Sequence, residues 1–105
     1  MFPNERMEAH PMEAWIDCDV FPGQFSGEVA VTVRELSGKL LSLFASKADV
    51  DFPVDELKSR GQAKGHIRVE IVEEQGQLAM VRLPRKMLEN GQHITVKISE
   101  IRQEA

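Results

Sequence analysis

The sequence has a single cysteine, no long apolar run and no segment typical of secretion. One thiol, Cys18, cannot form an intramolecular disulfide, and a lone cysteine fits a reducing compartment. No apolar run approaches the ~20 residues that a membrane-spanning helix needs. Charges and prolines interrupt residues 1–15, where a signal peptide would need an unbroken apolar core. We therefore expect a cytoplasmic protein that does not bind membranes.

The signatures of catalysis and of metal binding are also missing. No serine lies in a GxSxG turn, and no glycine-rich loop leads into a helix. His10, His66 and His93 stand far apart, each without a second ligand at a metal-binding spacing. Strand alternation places Cys18 on the apolar face, where a thiol behaves as a small hydrophobe. We predict a buried, inert Cys18, no catalytic or metal-ligating residue and no cofactor, and we rank an enzyme behind the binding functions below.

Length and composition indicate one small globular domain. The chain has 105 residues, of which 42% are hydrophobic and 29% charged, and this size supports a single core. Residues 1–13 contain prolines and no periodicity, so they are predicted to form a mobile N-terminal arm. Residues 14–101 are predicted to form the domain. The net charge of −4 argues against a general affinity for nucleic-acid backbones or anionic lipid.

The strongest positive signal is alternation with a period of two. Between Gly65 and Leu83, branched residues alternate with polar ones and then resume after Glu74-Gln75-Gly76, which predicts a β-hairpin. A three-residue loop with glycine third suits a type I turn closed by a left-handed residue. That loop would place Val69 opposite Val81.

A second hairpin with the same pattern is predicted between Glu28 and Ala45. Its loop is Leu36-Ser37-Gly38, which places Glu35 opposite Lys39 and aligns the apolar residues of both arms on one face. The two hairpins align without gaps. A duplication or the common pattern of strands would each produce this similarity.

The remaining elements complete an all-β fold. Strands are predicted at about 14–20 and 92–101, and short helical turns between Pro53 and Gly61 and within residues 84–91. Phe21 and Phe25, in the loop after the first strand, are expected to cap one end of the barrel, and an exposed contact surface is the rarer alternative. No long amphipathic helix is available to cover the apolar face of the strands. We therefore predict a small antiparallel barrel, or a two-layer sandwich, of about six strands built from two similar hairpins.

Large apolar residues also occur on the faces opposite the predicted core. They are Leu40, Phe44, Val72, Leu78 and Met80. Because exposure of such side chains forgoes the free energy of burial, these faces are expected to be covered. The predicted function is a non-catalytic protein-interaction or assembly module, most simply a homodimer. Cover by the connectors and the N-terminal arm within one chain is the competing explanation.

Cations crowd the second hairpin and its flanks. The relevant residues are Arg60, Lys64, Arg68, Arg82, Arg85 and Lys86. The predicted register places Arg68 opposite Arg82, which is unfavourable unless an anion lies between them. Small barrels bind single strands on such faces, although nearby glutamates and the lack of an exposed aromatic residue weigh against this. Binding of RNA or single-stranded nucleic acid is therefore the alternative function.

Overall fold

The computed structural model describes residues 13–89 and 91–104, and the predicted arm lies outside them except for Glu13. The described chain contains eight strands, one α-helix and two single 3-10 turns. The strands are β1 (Glu13–Pro22), β2 (Glu28–Arg34), β3 (Leu40–Ser46), β4 (Val50–Asp51), β5 (Ala63–Gln75), β6 (Leu78–Arg82), β7 (His93–Lys97) and β8 (Ile101–Glu104). Helix α1 is Val54–Arg60, and the 3-10 turns are Lys47–Asp49 and Ile98–Glu100.

All eight strands belong to one antiparallel sheet that curls into a half-barrel. Its order is β3-β2-β1-β5-β6-β7, with β4 beside β5 and β8 beside β1. The all-β fold is therefore confirmed. The strand count exceeds the predicted six for two reasons. The two-residue strand β4 was not predicted, and the last predicted strand ends at a 3-10 turn, Ile98–Glu100, after which the unpredicted strand β8 begins.

The inward faces of the strands form one hydrophobic core. Strand β1 contributes Ala14, Ile16, Cys18 and Val20, which are all buried, while the residues between them face outward. The same alternation holds in β2 and β3. Burial on one face only is what forces the sheet to curl, because the described chain has no long helix to cover that face.

The connector between β6 and β7 lies against the free edge of β3. The backbone N–H of Leu88 donates to the Ser42 carbonyl over 2.8 Å, and the Ser42 N–H donates to Oε1 of Glu89, also over 2.8 Å. Met87, from the same connector, is buried in the core. The helical turn predicted here is wrong for the described residues, because the connector's N–H groups bond to β3 and to Gly91 instead.

The other helical prediction is confirmed. Helix α1 follows Pro53 and ends at Gly61, whose φ of 72° lies in the left-handed region that ends helices readily. The capping role expected for Phe25 is wrong, because its side chain is 72% exposed. A tight turn, closed by the Glu28 N–H on the Phe25 carbonyl, holds this loop away from the core.

The register of the first hairpin agrees with the prediction at every pair. Val33 lies opposite Leu41 and Val31 opposite Leu43, and the Glu35 N–H donates to the Lys39 carbonyl. Gly38 has a φ of 91°, the left-handed conformation that the three-residue loop requires.

The register of the second hairpin is wrong by two residues. Val81 lies opposite Ile71 rather than Val69, because the loop holds only Gly76 and Gln77. The shorter loop alone would shift the pairing by an odd number of residues and turn the apolar face outward. A β-bulge at Val72 absorbs one residue and makes the shift even. The predicted inward residues Ala79 and Val81 are therefore still buried.

The close packing of β4 on β5 predicts that any side chain at Gly65 destabilises the fold. A Cβ added there would lie 2.5 Å from the Asp51 carbonyl oxygen and 3.0 Å from Cβ of Phe52. Because the backbone of β4 would have to shift to accommodate this Cβ, Gly65→Ala is expected to lower the free energy of unfolding by about 1–3 kcal/mol. Urea unfolding followed by circular dichroism measures this.

Gly27→Ala is the matched control, since no atom lies within 4 Å of its added Cβ. A Gly65→Ala variant as stable as Gly27→Ala would contradict the close packing of β4 on β5.

Candidate functional site

An exposed apolar surface lies on the outer side of the sheet formed by β5, β6 and β7. Leu78 and Met80 project from β6 and are 37% and 39% exposed. Val72, the extra residue of the β5 bulge, directly precedes Glu73, the cross-strand partner of Met80, and is 50% exposed. We call these three residues the distal face. The structure brings three of the five predicted self-association residues together here.

The two strands that flank the distal face carry opposite charge. On β5, Glu73 lies opposite Met80 and Gln75 opposite Leu78. On β7, Lys97 lies opposite Leu78 and Thr95 opposite Met80. The apolar stripe on β6 is therefore bordered by an acidic strand on one side and a basic residue on the other.

Leu40 and Phe44 lie elsewhere, on the outer side of β3. Phe44 is half-buried beside Ala30, its partner on β2, and Phe21 of β1 lies next along the same row. Leu40 is 49% exposed and lines a polar cleft. Neither residue lies on β5, β6 or β7, the three strands of the distal face.

Three of the six predicted nucleic-acid contacts are occupied by ion pairs. Lys64 pairs with Asp19 over 2.9 Å, Arg68 with Glu13 over 3.0 Å, and Arg82 with Glu70. The expected juxtaposition of Arg68 and Arg82 does not occur, because the corrected register places Glu70 opposite Arg82. The other three residues, Arg60, Arg85 and Lys86, are exposed on α1 and on the β6–β7 connector.

A polar cleft lies where the pairing along β1 is interrupted. Strand β8 pairs with β1 from Glu13 to Ile16, and β2 pairs with the same edge from Asp19 to Pro22. Between them, Asp17 and Cys18 have a strand neighbour only on the β5 side. The resulting cleft has a volume of about 440 Å³, and we call it the β1 groove.

Acidic and basic side chains line the β1 groove. They are Asp17, Asp19, Arg34, Lys64, His66 and Arg102. His66 Nε2 lies 3.1 Å from an Asp17 carboxylate oxygen, and Lys64 neutralises Asp19. Arg34 donates to the Gly38 carbonyl. No ion pair within residues 13–89 and 91–104 involves Arg34 or Arg102.

Trp15 lies at the β8 end of this groove. The Arg68 guanidinium carbon is 5.2 Å from the centre of its ring, and Arg102 is its cross-strand partner on β8. The indole Nε1–H is buried and has no acceptor among the described residues. Trp15 lines an adjacent cleft of about 320 Å³, which shares His66 and Arg102 with the β1 groove.

Sequence reasoning placed Trp15, His66 and Arg102 in no site. Trp15 and the aspartates that alternate with it resemble an ordinary solvated strand face, and Arg102 follows the last predicted strand, which ends at residue 101. The signal that could have found the groove is the charge complementarity between β1 and β5, where Asp17 lies opposite His66 and Asp19 opposite Lys64. This signal can be used only when the pairing of β1 with β5 is known, and these two strands are distant in the chain.

Cys18 is buried as predicted, at 6% exposure. Burial, together with the smaller effect of the nearby Asp19 and Asp17 carboxylates, raises the pKa of its thiol from 9.0 to about 12. A thiol in this state is not a nucleophile near neutral pH.

Comparison with known protein families, with curated proteins and with solved structures gave no match. Within residues 13–89 and 91–104, no group of three or more histidine, cysteine or acidic side chains is placed to hold a metal ion. The helix in the described part of the chain is too short and too polar to cross a membrane. The geometry of the surfaces is therefore the basis for a functional proposal.

The state of Cys18 predicts a loss of stability at alkaline pH. The folded thiol ionises near pH 12 and the unfolded thiol near pH 9, so the unfolded state binds fewer protons between these values. The contribution of this group to stability is complete below pH 9 and declines as the pH rises towards 12. Urea unfolding from pH 8 upward should show a decline that Cys18→Ala lacks.

Cys18→Ala itself should cost about 1–2 kcal/mol near neutral pH through lost packing. Rapid labelling of the native protein by a thiol reagent at pH 8, without unfolding, would contradict a buried and inert thiol.

Proposed function

We propose that the protein is a non-catalytic assembly module that forms a homodimer through the distal face. The observation that carries this proposal is the clustering of Val72, Leu78 and Met80 on one exposed side of a three-stranded sheet. Within the described residues no connector covers these side chains. A self-complementary two-fold contact would bury all three from each copy with a single surface.

The charges that flank the distal face favour one orientation of the dimer. A two-fold axis parallel to β6 stacks Leu78 on Leu78 and Met80 on Met80 of the second copy. The same axis stacks β5 of each copy over β7 of the other, which brings Glu73 towards Lys97 of the second copy. An axis perpendicular to the strands would instead stack β5 on β5 and bring like charges together.

The apolar contact is small, so the dimer is expected to be reversible and weak. A face of three exposed side chains belongs to the low end of protein interfaces, where transient complexes are found. The ion pairs at its border would contribute mainly to orientation and to the rate of association.

The nucleic-acid alternative receives less support from the surface. Lys64, Arg68 and Arg82 already have carboxylate partners, so a phosphate backbone would have to displace them. If nucleic acid does bind, affinity for heparin or an oligonucleotide should appear at low salt and fall steeply as salt rises. A cytoplasmic location is part of our proposal and is supported by the free thiol of Cys18.

A single charge in the distal face is expected to abolish dimerisation. Met80→Glu would bury two carboxylates close to the two-fold axis, and such burial is strongly unfavourable. Sedimentation velocity over a range of concentrations should show dimer for the parent chain and monomer for the variant, with an unchanged circular dichroism spectrum.

Leu88→Glu is the matched control, because Leu88 is 67% exposed but lies on the β6–β7 connector. This variant should dimerise as the parent does. A parent chain that remains at 11.8 kDa at high concentration would reject assembly. Loss of the dimer in Phe44→Glu but not in Met80→Glu would move the interface to β3.

Charge reversal tests the proposed orientation. Glu73→Lys and Lys97→Glu should each weaken dimerisation several-fold, because each places like charges across the interface. The double variant should recover much of the affinity, since it restores opposite charges. Two single losses that simply add in the double variant would exclude the axis parallel to β6 while leaving the distal face as the interface. Thermal unfolding of all three variants excludes a folding defect.

A further inference from the structure

We propose that the β1 groove binds a small molecule through a carboxylate or phosphate group. This inference is independent of dimerisation, because the groove lies on β1, β2, β3, β5 and β8 and shares no residue with the distal face. The groove, at about 440 Å³, falls in the size range of known small-molecule sites.

The first observation is the gap in strand pairing. The N–H and C=O groups of successive residues in a strand point to opposite edges. Asp17 and Cys18 face β5 on one edge and no strand on the other. One of these two residues therefore presents its backbone N–H and C=O to the groove. An exposed backbone donor on the floor of a cleft is a common feature of sites that bind oxyanions.

The second observation is the distribution of charge around the gap. The two aspartates on β1 each have a basic neighbour on β5, namely His66 for Asp17 and Lys64 for Asp19. Arg34 and Arg102 line the groove from the strands on either side of the gap, β2 and β8. Guanidinium groups bind carboxylate and phosphate with paired N–H donors, so an anion between these two arginines would have ligands from both walls.

The third observation is the indole N–H of Trp15. This donor is buried without an acceptor among the described residues, although buried polar groups are almost always hydrogen-bonded. Trp15 lines the cleft adjacent to the groove, together with His66 and Arg102. Because Nε1 is buried, a ligand oxygen that enters this cleft would supply the missing acceptor on rotation of the indole ring. Trp15 and Arg102 would then contact the same anionic group.

The single tryptophan makes the proposal directly testable, because any change in emission must come from Trp15. The full-length protein is titrated with inorganic phosphate and with citrate up to millimolar concentration. Sodium chloride of equal ionic strength serves as the control. We expect a saturable change in emission with at least one of the two probes and none with chloride. The two titrations distinguish phosphate from carboxylate as the preferred group.

Variants identify the groove as the site. Arg102→Gln and Arg34→Gln should each weaken binding by about tenfold or more, as expected for loss of a charged hydrogen bond. Arg85→Gln, on the β6–β7 connector, removes the same charge outside the groove and should leave affinity unchanged. Amide chemical shifts recorded in parallel should move at Asp17, Cys18 and Gly65.

Two results would overturn the proposal. One is the absence of any change in emission or amide shifts with either probe. The other is an equal loss of affinity in Arg102→Gln and Arg85→Gln, which would indicate general charge attraction. Met80→Glu, which targets the distal face, should bind both probes as the parent chain does, so failure of the dimer and failure of this site are separable.

Discussion

The antiparallel pairing of β1 with β5 is the interaction on which the rest of the fold depends. It joins Ala14–Val20 to Ala63–Val69, and every other strand attaches to one of these two or to a strand already attached. The edge of β1 opposite β5 pairs first with β8 and then, further along the strand, with β2. On β5, β4 pairs at one end of the strand and β6 at the other. Because the pair is buried on its inner face, its register determines which side chains of the whole sheet face the core.

Local patterns predicted the elements well and their connections less well. The first hairpin was correct to the residue because loop length, glycine position and alternation all favoured one register. In the second hairpin the glycine position allowed both a two-residue and a three-residue loop, and the bulge at Val72 left no mark in the alternation. The predicted inward residues were nevertheless buried. Burial determines which alternate residues of a strand face the core. The exact cross-strand partners of those residues depend on turn geometry.

The two candidate surfaces differ in what a sequence could reveal of them. The apolar residues of the distal face lie within one hairpin, so alternation alone identified them, and only the separation from Leu40 and Phe44 required three dimensions. The β1 groove is assembled from five strands taken from both ends and the middle of the described chain. Its charges resemble an ordinary solvated surface until Asp17 is seen beside His66. The gap between β8 and β2 has no counterpart in the sequence, since it arises from where two strands happen to end.

The position of β8 has a consequence for how the chain folds. Its backbone pairs only with β1, and it places Glu104 opposite Glu13, which are the two ends of the described chain. This contact closes the largest loop in the molecule and carries the largest loss of chain entropy, so it is expected to form last. By the same reasoning β8 is among the segments that open most readily in the native state. Strand β8, which carries Arg102, is therefore expected to open more readily than the centre of the sheet. An anion bound by both Arg34 of β2 and Arg102 of β8 would hold the end of the described chain against its beginning.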